Sequence, residues 1–329
     1  MSTVRPAASD VEQQDIDEAR AFNAQLEALI ATQPPVYELP PDVTRKARRE
    51  GKGVFPAPVF LEAARDIAIT GRGGSIKVRV IRPDRKPVGI YLHIHGGGWT
   101  LGGHDMQDVA LKLLANETGL CAASIGYRLA PENPYPAGPD DCEDAVLDLL
   151  EHGPEQLDAP ARFAIGGESA GAHLAVVTVL RLRDRHGIKD RIAAANLVYG
   201  AYDMNGTPSQ LLWGDRNLVL STPIVHWFGN NFLPGVGLEQ RRDPDISPLY
   251  ARLGNMPPAL FSVGTMDCLI DDSLFMAERW RVAGNRAEVA IYPEGVHGFN
   301  QYPTGLARKA NARQFEFLRN SMTQVSTSS

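Results

Sequence analysis

Two glycine-framed stretches carry the chemistry this sequence can do. "HIHGGGWTLGGH" runs from His93 to His104, and "GGESAG" runs from Gly166 to Gly171. The first has three readings. His93 and His95 alternate as metal ligands on one strand face would. A glycine-rich turn can cradle phosphate. A glycine loop can also offer bare backbone N–H groups to an oxygen that becomes negatively charged during acyl transfer. A metal site needs further ligands at later strand ends. Here His152, His173 and His186 fall in or beside expected helices, and no H-E-x-x-H occurs. Neither G-x-x-x-x-G-K-[ST] nor G-x-G-x-x-G is present, so nucleotide binding has no support. The oxyanion loop remains, with Gly97 and Gly98 as its donors and glycine chosen so that backbone can approach a substrate. His95 is then expected to hold the loop by hydrogen bonds, with His93 packing beneath it.

The second stretch supplies what such a loop serves. Gly167-Glu168-Ser169-Ala170-Gly171 is a G-x-S-x-G between an expected strand and an expected helix. A serine on that tight turn projects its hydroxyl above the sheet, and the helix start favours developing negative charge. Ser169 could instead merely cap the helix, but capping does not need glycines on both sides. Ala170, whose N–H follows the serine, is the third expected donor. A serine nucleophile needs a base, and the base an orienting acid. The chain has 8 histidines, and past residue 226 only His297 remains, on a loop in "YPEGVHGFN". Asp267, directly after a strand in "VGTMDCLIDD", is the expected acid, with Asp203 as the alternative. Asp271 and Asp272 are expected to cap the next helix. An imidazole base works unprotonated, so activity is expected to rise with pH through the ordinary histidine range.

These groups need a scaffold, and the sequence alternates. "RDIAIT" and "IKVRVIRP" read as strands around a turn, followed by strands "VGIYLHIH", "LCAASIGYRL", "RFAIGG", "IAAANLVYG", "PALFSVG" and "AEVAIYP". Amphipathic helices lie between them, and a last one runs from about Thr304 to Met322. This pattern predicts an α/β fold: a mostly parallel sheet of about eight strands, covered on both faces, with two antiparallel strands at its start. Residues 1–58 hold an N-terminal helix, introduced by a capping box at Ser9–Glu12, and a Pro-rich basic segment. Residues 59–329 form the main domain. Residues 204–245 break the rhythm and read as an insertion that joins the N-terminal segment in a small cap over one end of the sheet. Trp99, Tyr199, Trp213 and Phe228 are candidates for lining a pocket.

The bulk numbers exclude several classes. With 329 residues and 43% hydrophobic content the chain can bury a large core. Its net charge of −6 argues against a nucleic-acid surface. No apolar run is long enough to span a membrane, and "MSTVRPAASDVEQQDIDEAR" lacks the apolar centre of a secretory signal, so the cytoplasm is expected. Cys121, Cys142 and Cys268 are odd in number and widely spaced, which predicts free buried thiols.

Taken together, "HGGGW", "YRLAPENPYPA", "GESAG", "GTMDCLIDD" and "VHGF" resemble, in order, the motifs of the hormone-sensitive-lipase-like bacterial esterases, an α/β-hydrolase branch. The resemblance implies an α/β-hydrolase fold, a Ser169–His297–Asp267 triad, a cap, no cofactor, no metal and possible homodimers. It implies a small-molecule ester substrate with a short to medium acyl chain, cleaved through an acyl-enzyme. An amidase or lactonase with the same triad is the alternative, and a non-catalytic receptor on this fold a more distant one. Glu168, Ala172 and Cys268 depart from residues frequent in the family at those positions, without removing a reactive atom.

Overall fold

A computed structural model describes residues 11–323. Eight strands form one sheet: β1 (Arg65–Gly71), β2 (Gly74–Ile81), β3 (Gly89–Ile94), β4 (Leu120–Gly126), β5 (Phe163–Glu168), β6 (Ile192–Val198), β7 (Ala259–Met266) and β8 (Ala287–Val296). Their order is β1-β2-β4-β3-β5-β6-β7-β8. β2 is antiparallel to both β1 and β4, and every pairing from β4 to β8 is parallel. The two antiparallel strands expected at the start of the sheet are β1 and β2, of which β2 alone runs against the other strands. All six residues of β3 are buried, as befits a central strand covered on both faces. In β2, Ile76, Val78 and Val80 are buried while Lys77 and Arg79 are not, the period-two signature of a strand near the edge.

The helices are α1 (Gln13–Ile30), α2 (Pro41–Arg49), α3 (Asp108–Thr118), α4 (Ala137–Glu151), α5 (Gly153–Gln156), α6 (Ala170–His186), α7 (Pro208–Leu212), α8 (Thr222–Phe232), α9 (Ile270–Val282) and α10 (Gly305–Thr323). α3 and α6 stop at left-handed glycines, Gly119 and Gly187. Ser9 of the expected capping box lies outside the described residues, and α1 begins at Gln13, where the Asp15 carboxylate accepts the Glu12 N–H at 3.0 Å. α2 falls in the stretch read only as Pro-rich and basic. Its proline at the first position, Asp42 in the first turn and Lys46, Arg48 and Arg49 in the last are helix-end signals that the short apolar content obscured. The three cysteines are free and buried.

Residues 204–245 contain α7 and α8 and are tied down by buried charge. On α6, the Arg181 guanidinium reaches Asp245 at 2.5 Å, Asp140 at 2.9 Å and Glu143 at 3.2 Å. α1 packs chiefly on β8 and α10, and meets the insertion through an ion pair between Glu27 and Arg216.

Asp271 and Asp272 do not cap α9, because both sit inside its first turn and turn outward to the insertion. The Asp271 carboxylate accepts the Ser209 N–H at 2.8 Å. Asp272 accepts the N–H groups of Tyr202 and Asp203, the Thr207 hydroxyl and the Gln210 amide, at 2.6 to 3.1 Å. Burial pushes the Asp272 carboxyl up to about 6, and these donors only partly oppose it. The folded chain then holds a proton that the unfolded chain has already lost, so this group's contribution to stability falls as pH rises from about 4 to about 6. Asp272→Asn cannot titrate. The stability advantage of the wild type over that variant should shrink by about 2 kcal/mol between pH 4.5 and 7, measured by urea unfolding. A pH-independent difference contradicts this.

Candidate active site

Ser169 is the single residue between β5 and α6. Its φ of 57° and ψ of −121° are a conformation that L-residues avoid. The crowding that imposes this comes from β3. A Cβ on Gly167 would stand 2.1 Å from the Ile94 carbonyl oxygen, and one on Gly171 would stand 1.9 Å from the same atom. Only glycine lets the turn close against β3 at these two points. The Ser169 hydroxyl makes no cap bond to α6 and lies 2.9 Å from His297 Nε2. His297 Nδ1 lies 2.8 Å from Asp267 Oδ2, while Asp267 Oδ1 accepts the Leu269 N–H at 2.9 Å. Asp267 follows the end of β7 and His297 the end of β8, and both are buried. A carboxylate facing Nδ1 keeps the proton there, which leaves Nε2 free to accept from the serine. Asp203, the alternative acid, is engaged elsewhere: it accepts the Asn205 N–H and the Tyr250 hydroxyl, each at 2.9 Å.

The glycine loop follows β3. Gly97 and Gly98 have φ of 116° and 59°. A Cβ on Gly98 would lie 2.1 Å from the Phe228 ring, so that ring closes directly over the loop. Among the described residues, the N–H groups of Gly97, Gly98 and Ala170 donate to no protein acceptor. The loop is fixed from behind. His95 Nδ1–H donates to the Gly96 carbonyl at 2.8 Å, and its ring stacks on Tyr127 at 4.3 Å. The Tyr127 hydroxyl donates to the His95 carbonyl at 2.9 Å. Burial pushes the His95 imidazole down to about 4, so it stays neutral near pH 7. From α2, Arg45 donates to the carbonyls of Thr100 and Ala130 at 2.8 and 2.7 Å.

His93 does more than pack. Its Nδ1 lies 2.8 Å from Ser124 Oγ, and its Nε2 lies 3.1 and 3.2 Å from the Glu168 carboxylate oxygens. Gln107 also donates to Glu168, at 3.4 Å. Burial alone would raise the Glu168 carboxyl, but the charge and hydrogen bond of His93 outweigh it and hold the group below the usual carboxylate range. The sequence signal for this pair was the departure at Glu168, which gave no partner. Likewise "YRLAPENPYPA" gave no hint that Tyr127 carries the glycine loop.

A cavity of about 540 Å³ opens on Ser169, His297 and the glycine loop. Tyr199 and Phe228 line it; Trp99 and Trp213 do not. Tyr199 rests on the His297 ring at 4.6 Å, and its hydroxyl donates to Asn300 at 2.5 Å. Trp99 is buried behind the loop, stacked on Phe232 at 4.7 Å and donating to His173 at 3.1 Å. The indole N–H of Trp213 is used by the Arg216 carbonyl at 2.7 Å. A hydroxyl bonded to an oriented imidazole, beside unengaged backbone donors, can attack a carbonyl carbon and stabilise the resulting oxyanion.

The α/β-hydrolase fold family matches residues 91–301, and the chain belongs to it, in the hormone-sensitive-lipase-like esterase branch. The chain is 31% identical over 258 residues to carboxylesterase NlhH of Mycobacterium tuberculosis, covering 72% of this chain and 75% of that one. It is 32% identical over 251 residues to carboxylic ester hydrolase LipN of the same organism, covering 74% of this chain and 66% of LipN. The fold superposes on a hyperthermophilic esterase from the archaeon Pyrobaculum calidifontis with a TM-score of 0.82 and 27% identity, over 91% of this chain and 97% of the other. The chain is thus a carboxylic ester hydrolase by family.

The Tyr127 hydroxyl is a distant support of the loop, and its loss leaves the His95 carbonyl without that partner. Tyr127→Phe should lower kcat on a p-nitrophenyl ester about tenfold with little change in KM, the mark of a contact felt in the transition state. Unchanged kcat would show that the loop holds its shape without it.

Proposed function

We propose that Ser169 is the nucleophile, His297 the base and Asp267 the orienting acid of ester cleavage, with the N–H groups of Gly97, Gly98 and Ala170 as the oxyanion hole. The observation that carries this is the unbroken line from Ser169 Oγ through His297 to Asp267, at 2.9 and 2.8 Å, ending in the cavity. His297 Nε2 takes the hydroxyl proton as Oγ attacks the ester carbonyl, and the tetrahedral oxyanion falls to the backbone donors. Asp267 keeps the proton on Nδ1 and stabilises the imidazolium. Collapse expels the alcohol, which takes the proton from His297 and leaves acyl-Ser169. Water, giving its proton to His297, then attacks the acyl carbonyl; the acid departs and Ser169 recovers its proton. These steps use the chain's own groups and one water per turnover.

The substrate class is carboxylic esters with short to medium acyl chains, supported by a cavity of about 540 Å³. An amidase or lactonase using the same groups is not favoured by relatives named as esterases. Residues 1–58 and 204–245 act together as the cap. Their support is that residues of both, such as Val36, Phe55, Leu220 and Phe228, line the cavity. The chain works in the cytoplasm, possesses no helix among the described residues long and apolar enough to cross a membrane, and pairs as a homodimer, a state that sedimentation tests.

Ser169→Ala should abolish turnover of p-nitrophenyl butyrate. Asp267→Asn should cost about 10⁴-fold in kcat, as the corresponding change does in serine proteases. Steady-state kinetics decide the acid: a larger loss in Asp203→Asn than in Asp267→Asn would reverse the assignment. Across p-nitrophenyl esters from acetate to palmitate, kcat/KM should decline beyond medium chains, and a maximum at palmitate would refute the acyl range.

A further inference from the structure

Helix α2 carries three arginines on one short stretch, and two of them are engaged. Arg45 donates to the Thr100 and Ala130 carbonyls and to both Glu132 oxygens. Arg49 makes two bonds to Asp105, each at 2.9 Å. Arg48 lies between them and lines the cavity that opens on Ser169. Among the described residues its side chain has no carboxylate or carbonyl partner. Its guanidinium stands over the Phe55 ring, 5.3 Å from the centroid, and that ring stacks on Tyr302 at 5.7 Å. An aromatic face offsets less of a cation's lost hydration than an anion does. Burial pushes Arg48 down to about 10 and only the Tyr302 hydroxyl opposes this, so the group remains cationic at neutral pH without a carboxylate beside it.

A second polar residue lines the same space. Thr44, one turn earlier on α2, lines the cavity, and its Oγ1 is buried without a hydrogen-bond partner. The other charges around the cavity do not answer Arg48. Lys52 is paired with Glu50 at 2.7 Å, and Glu168 is held by His93 and Gln107. Asp215 lines the cavity from the insertion and is itself exposed. A guanidinium fork matches a carboxylate, which can accept two bonds from it and a third from a hydroxyl one turn away on the same helix.

We propose that Arg48 and Thr44 form a carboxylate-binding subsite within the ester cavity, so that the enzyme selects esters bearing a free carboxylate on one half. This rests on the esterase reading of Ser169. The test measures kcat/KM for two matched pairs at neutral pH. Mono-p-nitrophenyl succinate against p-nitrophenyl butyrate puts the charge on the acyl half. 4-Acetoxybenzoate against phenyl acetate puts it on the alcohol half. In one pair, the anionic-to-neutral ratio should fall about tenfold or more in Arg48→Met, the worth of a charge-assisted hydrogen bond. It should fall less in Arg48→Lys, which keeps the charge and loses the fork, and should also fall in Thr44→Val. The ratio is internal to each variant, so partial loss of folded enzyme does not alter it. Ratios unchanged within about twofold in both pairs, for all three variants, would reduce Arg48 to a prop for Phe55 and overturn the subsite while leaving the esterase reading intact. No turnover of any of the four esters by the wild type would overturn both.

Discussion

The end of β3 passes so close to the turn between β5 and α6 that the Ile94 carbonyl oxygen occupies the space of two absent side chains, those of residues 167 and 171. From that contact much of the site follows. The turn must be tight, so Ser169 takes a positive φ and its hydroxyl is lifted toward His297. The same strand end continues into the glycine loop, so the loop is set beside the serine by the pairing of β3 with β5. The strain at Ser169 is then borne by central strands of the sheet, whose residues are almost all buried.

Charge is partitioned around this framework in three ways. Some pairs only fasten elements: Arg181 with Asp245, Asp140 and Glu143 holds the insertion to α6 and α4. Some buried groups are kept neutral so that they can serve as rigid hydrogen-bonding struts. The imidazoles of His95 and His173, pushed down by burial, support the glycine loop from behind in this way. His297 differs from both, since its two nitrogens face a carboxylate and a hydroxyl, the partners through which a proton can move.

Much of this was legible in the sequence because local signals and the global fold agree. Strand–helix alternation gave the sheet, G-x-S-x-G between β5 and α6 gave the tight turn that bears Ser169, and chain order left His297 as the sole late histidine. What stayed hidden depends on contacts distant in sequence. Nothing local distinguishes Asp272 as an acceptor for the insertion from a helix cap, since a carboxylate near a helix start suits either. Trp99 reads as a pocket residue by proximity to the loop, yet its indole is consumed by His173 and Phe232. The short α2 is masked by its polar sequence, and with it the placement of Arg45 and Arg48.

The central claim is that one hydroxyl, Ser169, is made nucleophilic by His297. Reaction with a fluorophosphonate, followed by intact-mass measurement and peptide mapping, tests it most directly. The account predicts a single phosphonyl adduct on Ser169, and near-complete loss of labelling in His297→Gln at matched protein concentration. An adduct on another residue, or labelling that proceeds undiminished without His297, would contradict it.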